Sequence, residues 1–362
     1  MGELYRILDV NLNRAREGLR VAEDIARFAA GDAELAAALK ALRHRLSEIE
    51  ETVPGGRASL LAARDVGTDG GAATREEAPG RGTYATAAAN LKRAEEACRV
   101  LEEVAKPVSP ATAVAAKALR FAVYDLEAKL LCRLRENARR ERLARGRLYL
   151  VAGTRDVPGR DLAEVVRAAV AGGVAVFQLR EKEGATRSIV RLAAALREVA
   201  HQCGILFIVN DRVDIAAAVD ADGVHLGQDD LPVEVARRIL GWDKIIGVST
   251  HSLAQACRAE REGADYIGVG PVYPTRTKPD YPVVGLELVR QVAAEVRIPF
   301  FAIGGIKETN IREVLAAGAR RVAVVSALTA APDITVAART LCARIQEFEV
   351  TPDDADAFSP GR

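Results

Sequence analysis

Two patterns of apolar residues divide the chain. Through residues 1–146, apolar positions recur three and four apart, as on one face of an α-helix. From Leu148 onward, short runs rich in Val, Ile, Leu and Phe alternate with longer alanine-rich amphipathic stretches. These runs predict strands at Leu148–Ala152, Val174–Leu179, Leu206–Val209, Gly223–Leu226, Ile245–Val248, Tyr266–Val269, Phe300–Ile303 and Arg321–Val325. Glycines at Gly172-Gly173, Gly204, Gly241, Gly263 and Gly318 mark helix ends. Strand–helix alternation of this length means a parallel sheet, either a closed (β/α)8 barrel or an open doubly wound sheet. The expected organisation is an all-helical domain over 1–146, an α/β domain over 147–350 and a disordered tail over 351–362.

The placement of polar residues favours the barrel. Gln178, Arg180, Glu181 and Lys182 follow the second strand, Asn210 and Asp211 the third, and Gly227 to Asp230 the fourth. Ser249 ends the fifth, Gly304-Gly305 the seventh and Ser326 the eighth. After the sixth comes Gly270-Pro271-Val272-Tyr273-Pro274-Thr275-Arg276-Thr277-Lys278, which carries two hydroxyls and two cations in four residues. Solvated surface would scatter such clusters over both ends of the sheet. Collected at the C-terminal ends, they mark a barrel active site.

Composition narrows the function. The 362 residues are 49% hydrophobic and 28% charged, ordinary for a protein with a large core. Aromatics make up 4% and the net charge is +1, which argues against a nucleic-acid platform or an anionic-membrane surface. Cys98, Cys132, Cys203, Cys257 and Cys342 are scattered without a Cys-x-x-Cys pair, so reduced thiols and a cytoplasmic location are expected. No secretory leader pattern or run of membrane-spanning length is present.

The helical part contains an internal repeat. Asn11 to Arg27 matches Asn90 to Lys106, and each copy precedes a second helix, with Arg43 in one matching Arg120 in the other. Two related helical hairpins about a pseudo-twofold axis are the economical arrangement. The pairs Arg14/Arg93, Glu17/Glu96, Arg20/Arg99 and Glu23/Glu102 recur three apart along one helix face. They form either a solvated ion-pair ladder or a polar site between the copies. Gly-rich links at Val53 to Gly56 and Arg64 to Gly71 are not a Walker loop, because no Gly-Lys-Ser/Thr ending is present.

Asn210-Asp211 and Asp229-Asp230, on neighbouring strand ends, offer oxygen ligands of the kind magnesium takes. Arg180, Lys182 and Lys278 supply more positive charge than a monophosphate needs, and suit a diphosphate. Gly304-Gly305 and Val325-Ser326 lie where barrels bind a second phosphate through backbone amides. No nucleophile–base pair is evident, and the sequence assigns no role to His225 or His251. Two phosphorylated substrates, one losing diphosphate, fit this set.

These segments, taken in order over residues 148–346, resemble the motif series of the thiamine-phosphate synthase family. The resemblance implies a TIM barrel that is a magnesium-dependent transferase of thiamine biosynthesis. Such an enzyme joins hydroxymethylpyrimidine diphosphate to a thiazole phosphate by a dissociative route. It further implies that Gln178, Arg180, Lys182, Asn210, Ser249 and Lys278 hold the pyrimidine diphosphate, with Arg180, Lys182 and Lys278 as the catalytic cations. Asp211 and Asp230 would bind magnesium, and Thr275, Arg276, Thr277, Gly305, Val325 and Ser326 the thiazole phosphate. Arg212 departs from the family pattern beside the metal position. A thiazole tautomerase-like enzyme and a non-catalytic ligand sensor are the rival readings of the barrel.

Residues 1–146 are similar to the ThiD2-like module fused to some of these synthases. That likeness implies a pyrimidine monophosphate kinase, and an oligomerisation or docking module is its rival. Small-molecule substrates, no nucleic acid or membrane partner, and a possible homo-oligomer complete the expectations.

Overall fold

The computed structural model describes residues 2–64, 82–275 and 282–350. The chain divides into two compact units, Met1–Asn137 and Ala138–Arg362. The first contains helices α1 (Gly2–Phe28), α2 (Ala33–Thr52), α3 (Gly56–Ala63) and α4 (Thr83–Ala105), with most of α5 (Pro110–Arg145). The division falls inside α5 because its last turns belong to the second unit. Arg139 pairs with Asp222 at 2.9 Å and Asp243 at 2.8 Å, and Arg140 with Asp265 at 3.0 Å. Among the described residues no helix is long and apolar enough to cross a membrane.

The second unit is a closed parallel barrel in which β1 pairs with β8, so the open-sheet alternative does not hold. Its strands are β1 (Leu148–Ala152), β2 (Val176–Leu179), β3 (Leu206–Asn210), β4 (Gly223–Leu226), β5 (Ile245–Thr250), β6 (Tyr266–Val269), β7 (Phe300–Ile303) and β8 (Val322–Val324). The intervening helices are α6 (Leu162–Ala171), α7 (Thr186–Gln202), α8 (Val213–Ala218), α9 (Val233–Leu240), α10 (Leu253–Arg261), α11 (Gly285–Glu295) and α12 (Ile311–Ala316). After β8 come α13 (Ser326–Thr329) and α14 (Ile334–Val350). Strand β2 starts later than the sequence pattern implies, because the Val174 N–H closes α6 by bonding to Ala169 O. Strands β3 and β5 run further than expected, since Asn210 pairs with His225 and Ser249 with Gly268.

Alternation along the strands sorts the side chains into two cores. Tyr149, Val151, Val176, Leu206, Ile208, Ile245, Tyr266, Phe301 and Ala323 pack together inside the barrel. Their neighbours in sequence, such as Leu150, Phe177, Phe207, Ile246 and Ile267, pack outward with the helices. Continuous apolar runs result, because both faces of every strand are covered.

In the helical unit, α1 buries Leu8, Leu12, Ala15, Leu19 and Ala22, and α4 buries Ala87, Leu91, Ala94, Cys98 and Leu101. Gly18 lets the two helices approach closely: a Cβ there would lie 2.4 Å from the Asn90 carbonyl oxygen. The later charges of each copy do pair, as a ladder would, but around buried carboxylates rather than on a solvated face. Glu23 meets Arg20 and Arg43, and its counterpart Glu102 meets Arg99 and Arg120. These two carboxylates are buried, so each needs its guanidinium partners.

One matched place differs. Arg16 donates to Glu50 at 2.7 Å in the first copy, whereas the second copy has Glu95 beside Glu127. Burial, and then the Glu127 carboxyl, push the Glu95 pKa up, against the opposing pull of Lys92. The folded protein therefore holds a proton that the unfolded chain has lost, and stability falls as pH rises through the ordinary carboxylate range toward the raised pKa. Glu95→Gln should accordingly be more stable than the parent at pH 7, with the gain vanishing near pH 4. Urea denaturation at the two pH values measures this difference.

Candidate active site

Inward-facing residues near the C-terminal strand ends surround one cavity. Eight of the sequence-selected residues line it: Gln178, Arg180, Asn210, Ser249, Thr275, Gly305, Val325 and Ser326. Lys182, Asp211 and Asp230 are described but are not part of this lining. Arg276, Thr277 and Lys278 lie outside the described residues.

On the cavity floor, Tyr149 and Tyr266, which the sequence did not single out, and His225, to which it assigned no role, join Gln178 to Ser249. Gln178 Nε2 donates to the Tyr149 hydroxyl at 2.9 Å, which is hydrogen bonded to the Tyr266 hydroxyl at 2.9 Å. His225 Nδ1 lies 2.9 Å from the Tyr266 hydroxyl, and its Nε2 lies 2.9 Å from Ser249 Oγ. The polar chain thus runs Gln178–Tyr149–Tyr266–His225–Ser249 across five strands. Burial raises the pKa of both phenols, so they stay neutral and the chain carries no buried phenolate. Phe301 packs edge-on against both tyrosines, with ring centroids at 5.1 and 5.6 Å. Buried polar groups linked in this way hold Gln178 and Ser249 in fixed positions at the rim.

Glycines inside the strands make room for these rings. A Cβ on Gly247 would lie 2.1 Å from the Tyr266 ring, and one on Gly268 would lie 3.3 Å from the His225 ring. Such mid-strand glycines were the available sequence signal for the floor, because they mark close approach of a neighbouring group. The turn after β7 also needs glycine. Gly304 and Gly305 have φ of 102° and 65°, and their Cβ positions would collide with Pro271 and Tyr273. The chain after β6 pairs onto this turn through Val272 N–H to Ile303 O and Tyr273 N–H to Gly304 O. His251 Nδ1 donates to the Gly270 carbonyl and fastens the start of the same segment.

Beside the cavity, Asp211 adopts φ of 60°, left-handed backbone that is uncommon for a residue with a side chain. Its N–H bonds to His225 O, and its carboxylate meets Lys182 at 3.2 Å. Asp230 accepts from Gly227 N–H at 2.6 Å, which closes the turn after β4. Burial, then neighbouring Asp230, raise the Asp211 pKa, while Lys182 opposes them. Two carboxylates facing one ammonium lack positive charge, and this donor set fits a divalent cation. Among the described residues no group of three or more His, Cys, Asp or Glu forms a closed metal cage. Magnesium needs none, since it keeps waters and takes substrate phosphates beside one or two carboxylates. Among the described residues the buried Arg180 Nε has no hydrogen-bond partner, and it is a donor that an anion in the cavity would satisfy.

Known proteins carry the same combination. Residues 148–328 match the family model described as thiamine monophosphate synthase, and residues 6–129 match that of the ThiD2 family. A thiamine-phosphate synthase of Gloeobacter violaceus is 48% identical over 91% of this chain and 93% of its own length. One of Nostoc punctiforme is 43% identical over 96% of this chain and 95% of its own. The chain belongs to the thiamine-phosphate synthase family. It is a transferase. The solved structure titled thiamine phosphate pyrophosphorylase from Pyrococcus furiosus superposes with a TM-score of 0.53 at 42% identity. It covers 58% of this chain and 98% of its own.

For this family member, the polar floor gives a direct test. Tyr266→Phe removes the hydroxyl shared by Tyr149 and His225 and should cost about 1–3 kcal/mol of barrel stability. Gly247→Ala, which forces the Tyr266 ring aside, should cost at least about 1–3 kcal/mol by overpacking. Equilibrium urea titrations of the two variants measure both losses.

Proposed function

We propose that the barrel joins hydroxymethylpyrimidine diphosphate to a methyl-phosphoethyl-thiazole, giving thiamine phosphate and diphosphate. The observation that carries this reading is the composition of the cavity at the C-terminal strand ends. Gln178, Arg180, Asn210 and Ser249 come from the β2 to β5 side, and Thr275, Gly305, Val325 and Ser326 from the β6 to β8 side. Two phosphorylated reactants would thus meet between two walls, with the unpartnered Arg180 Nε on one of them.

The chemistry then needs little beyond charge and position. The bond between the pyrimidine methylene carbon and the diphosphate oxygen breaks, and its electron pair leaves with diphosphate. The thiazole nitrogen lone pair forms the new C–N bond to that carbon. No proton is lost, so no general base is required, in keeping with a His225 ring bound to Tyr266 and Ser249. Arg180, Lys182 and Lys278 would stabilise the departing diphosphate, while Gln178, Asn210 and Ser249 position it. Asp211 and Asp230 would hold magnesium, which when bound supplies positive charge to the leaving group. Thr275, Arg276, Thr277, Gly305, Val325 and Ser326 would hold the thiazole phosphate.

The helical unit, in this reading, supplies the barrel's substrate. A phosphate oxygen of the pyrimidine monophosphate attacks the γ-phosphorus of ATP, the bond to the β–γ bridging oxygen breaks, and ADP leaves. Support comes from its fusion to a barrel that would consume the resulting diphosphate.

Arg180→Ala and Lys278→Ala should each lower kcat/KM for thiamine phosphate formation about 100-fold, the scale of losing one stabilising group of a transition state. Chromatographic assay of the full-length enzyme reads this directly. Full-rate turnover after exhaustive EDTA treatment would remove the magnesium assignment, and no turnover at saturating substrates would favour a ligand sensor. Full-length Arg180→Ala, given pyrimidine monophosphate and ATP, should accumulate the diphosphate; its absence leaves the helical unit as a docking module.

A further inference from the structure

Thr250, the last residue of β5, and His251 after it grip the chain where β6 ends. Thr250 Oγ1 donates to the Gly268 carbonyl at 3.0 Å, and the Gly270 N–H donates to the Thr250 carbonyl at 3.2 Å. His251 Nδ1 meets the Gly270 carbonyl. A carbonyl oxygen only accepts, so Nδ1 carries the proton of this bond. His251 is itself held. Its N–H donates to Gln255 Oε1 at 2.7 Å, and the Gln255 N–H donates to Ser252 Oγ at 3.3 Å, which caps α10. The imidazole therefore extends from backbone that a helix cap has fixed.

On the other side Gly270 has no slack. A Cβ there would lie 2.0 Å from the Ile303 carbonyl oxygen, so its backbone is wedged between β7 and His251. Beyond Gly270 the segment follows β7 through the Val272 and Tyr273 N–H groups and brings Thr275 to the cavity. Pro274, next to Thr275, lies against Gly305, where a Cβ would be 2.7 Å from the Pro274 carbonyl oxygen. Ser249 and His251 line the same cavity. One short run at the end of β5 thus places Ser249 on the β2 to β5 wall and sets the start of the segment that carries Thr275 on the other.

We propose that His251 is a positioning residue for the thiazole phosphate: by donating to the Gly270 carbonyl it fixes where Thr275 stands beside Gly305 and Ser326. The role requires a hydrogen-bond donor at that point and no proton transfer. It rests on the reading of the barrel as the enzyme that joins the two phosphorylated substrates, and adds to it a residue that acts through the β6 segment.

Steady-state kinetics of the full-length enzyme test this, each substrate being varied at saturating levels of the other. His251→Ala should raise KM for the thiazole phosphate by about 3- to 10-fold, the scale of one lost hydrogen bond, with KM for the pyrimidine diphosphate unchanged. The unchanged value also shows that the barrel is folded. His251→Asn should restore the thiazole KM, because its amide nitrogen, like Nδ1, is bonded to Cγ and donates. His251→Asp puts only acceptor oxygens there and should not restore it. Equal rises in both KM values, or parental constants for His251→Ala, would overturn the proposal. So would restoration by His251→Asp, or none by His251→Asn. Where His251→Ala does not fold, the other two variants decide: parental constants for Asn with a raised thiazole KM for Asp support the role, and equal constants remove it. A parent that makes no thiamine phosphate at saturating substrates would remove the reaction and the role together, whereas a parent that turns over and is indifferent to His251→Ala removes the role alone.

Discussion

The active end of the barrel depends on a hydrogen-bonded chain across its floor. Gln178, Tyr149, Tyr266, His225 and Ser249 come from five different strands and satisfy one another inside an apolar core. Any one of these groups left alone there would carry an uncompensated desolvation cost. Linked, they fix the strands' register and present Gln178 and Ser249 at the rim. Gly247 and Gly268 are part of the same constraint, because the Tyr266 and His225 rings lie against their Cα positions.

Above this neutral floor the site is built from charge. Arg180, Lys182, Asp211 and Asp230 follow the β2 to β4 ends, with Lys182 on Asp211, Gly227 N–H on Asp230, and Arg180 Nε without a hydrogen-bond partner among the described residues. The reaction proposed for the barrel, departure of diphosphate and attack of a ring nitrogen, transfers no proton. The histidines accordingly hold structure: His225 bridges the floor, and His251 fastens Gly270.

The helical unit shows what duplication does to a polar helix face. Where the repeated charges meet a second helix they close into triads around a buried carboxylate, Arg20–Glu23–Arg43 and Arg99–Glu102–Arg120. Where the two copies face each other, Arg14 and Glu17 and their counterparts Arg93 and Glu96 line a cleft. At Glu95 and Glu127 the copies have diverged, and an ion pair has become two carboxyls. Thus equal spacing gave unequal outcomes, because the packing of neighbouring helices decided which charges were desolvated.

The sequence by itself determined the strand–helix alternation, the repeat, and the placement of polar residues at the C-terminal strand ends. Each of these is a local pattern, set by the period of burial along one element. It also selected Gln178, Arg180, Asn210, Ser249, Thr275, Gly305, Val325 and Ser326, which line one cavity. Tertiary structure alone decided that Tyr149 and Tyr266 meet across the barrel and that Asp211 and Asp230 share one electrostatic environment. Those facts depend on residues far apart in the chain, and no local pattern encodes a distance across a barrel. The Arg14 and Glu17 pattern gave two readings on paper for the same reason. An i, i+3 spacing permits a pair, but only the second helix determines whether it forms.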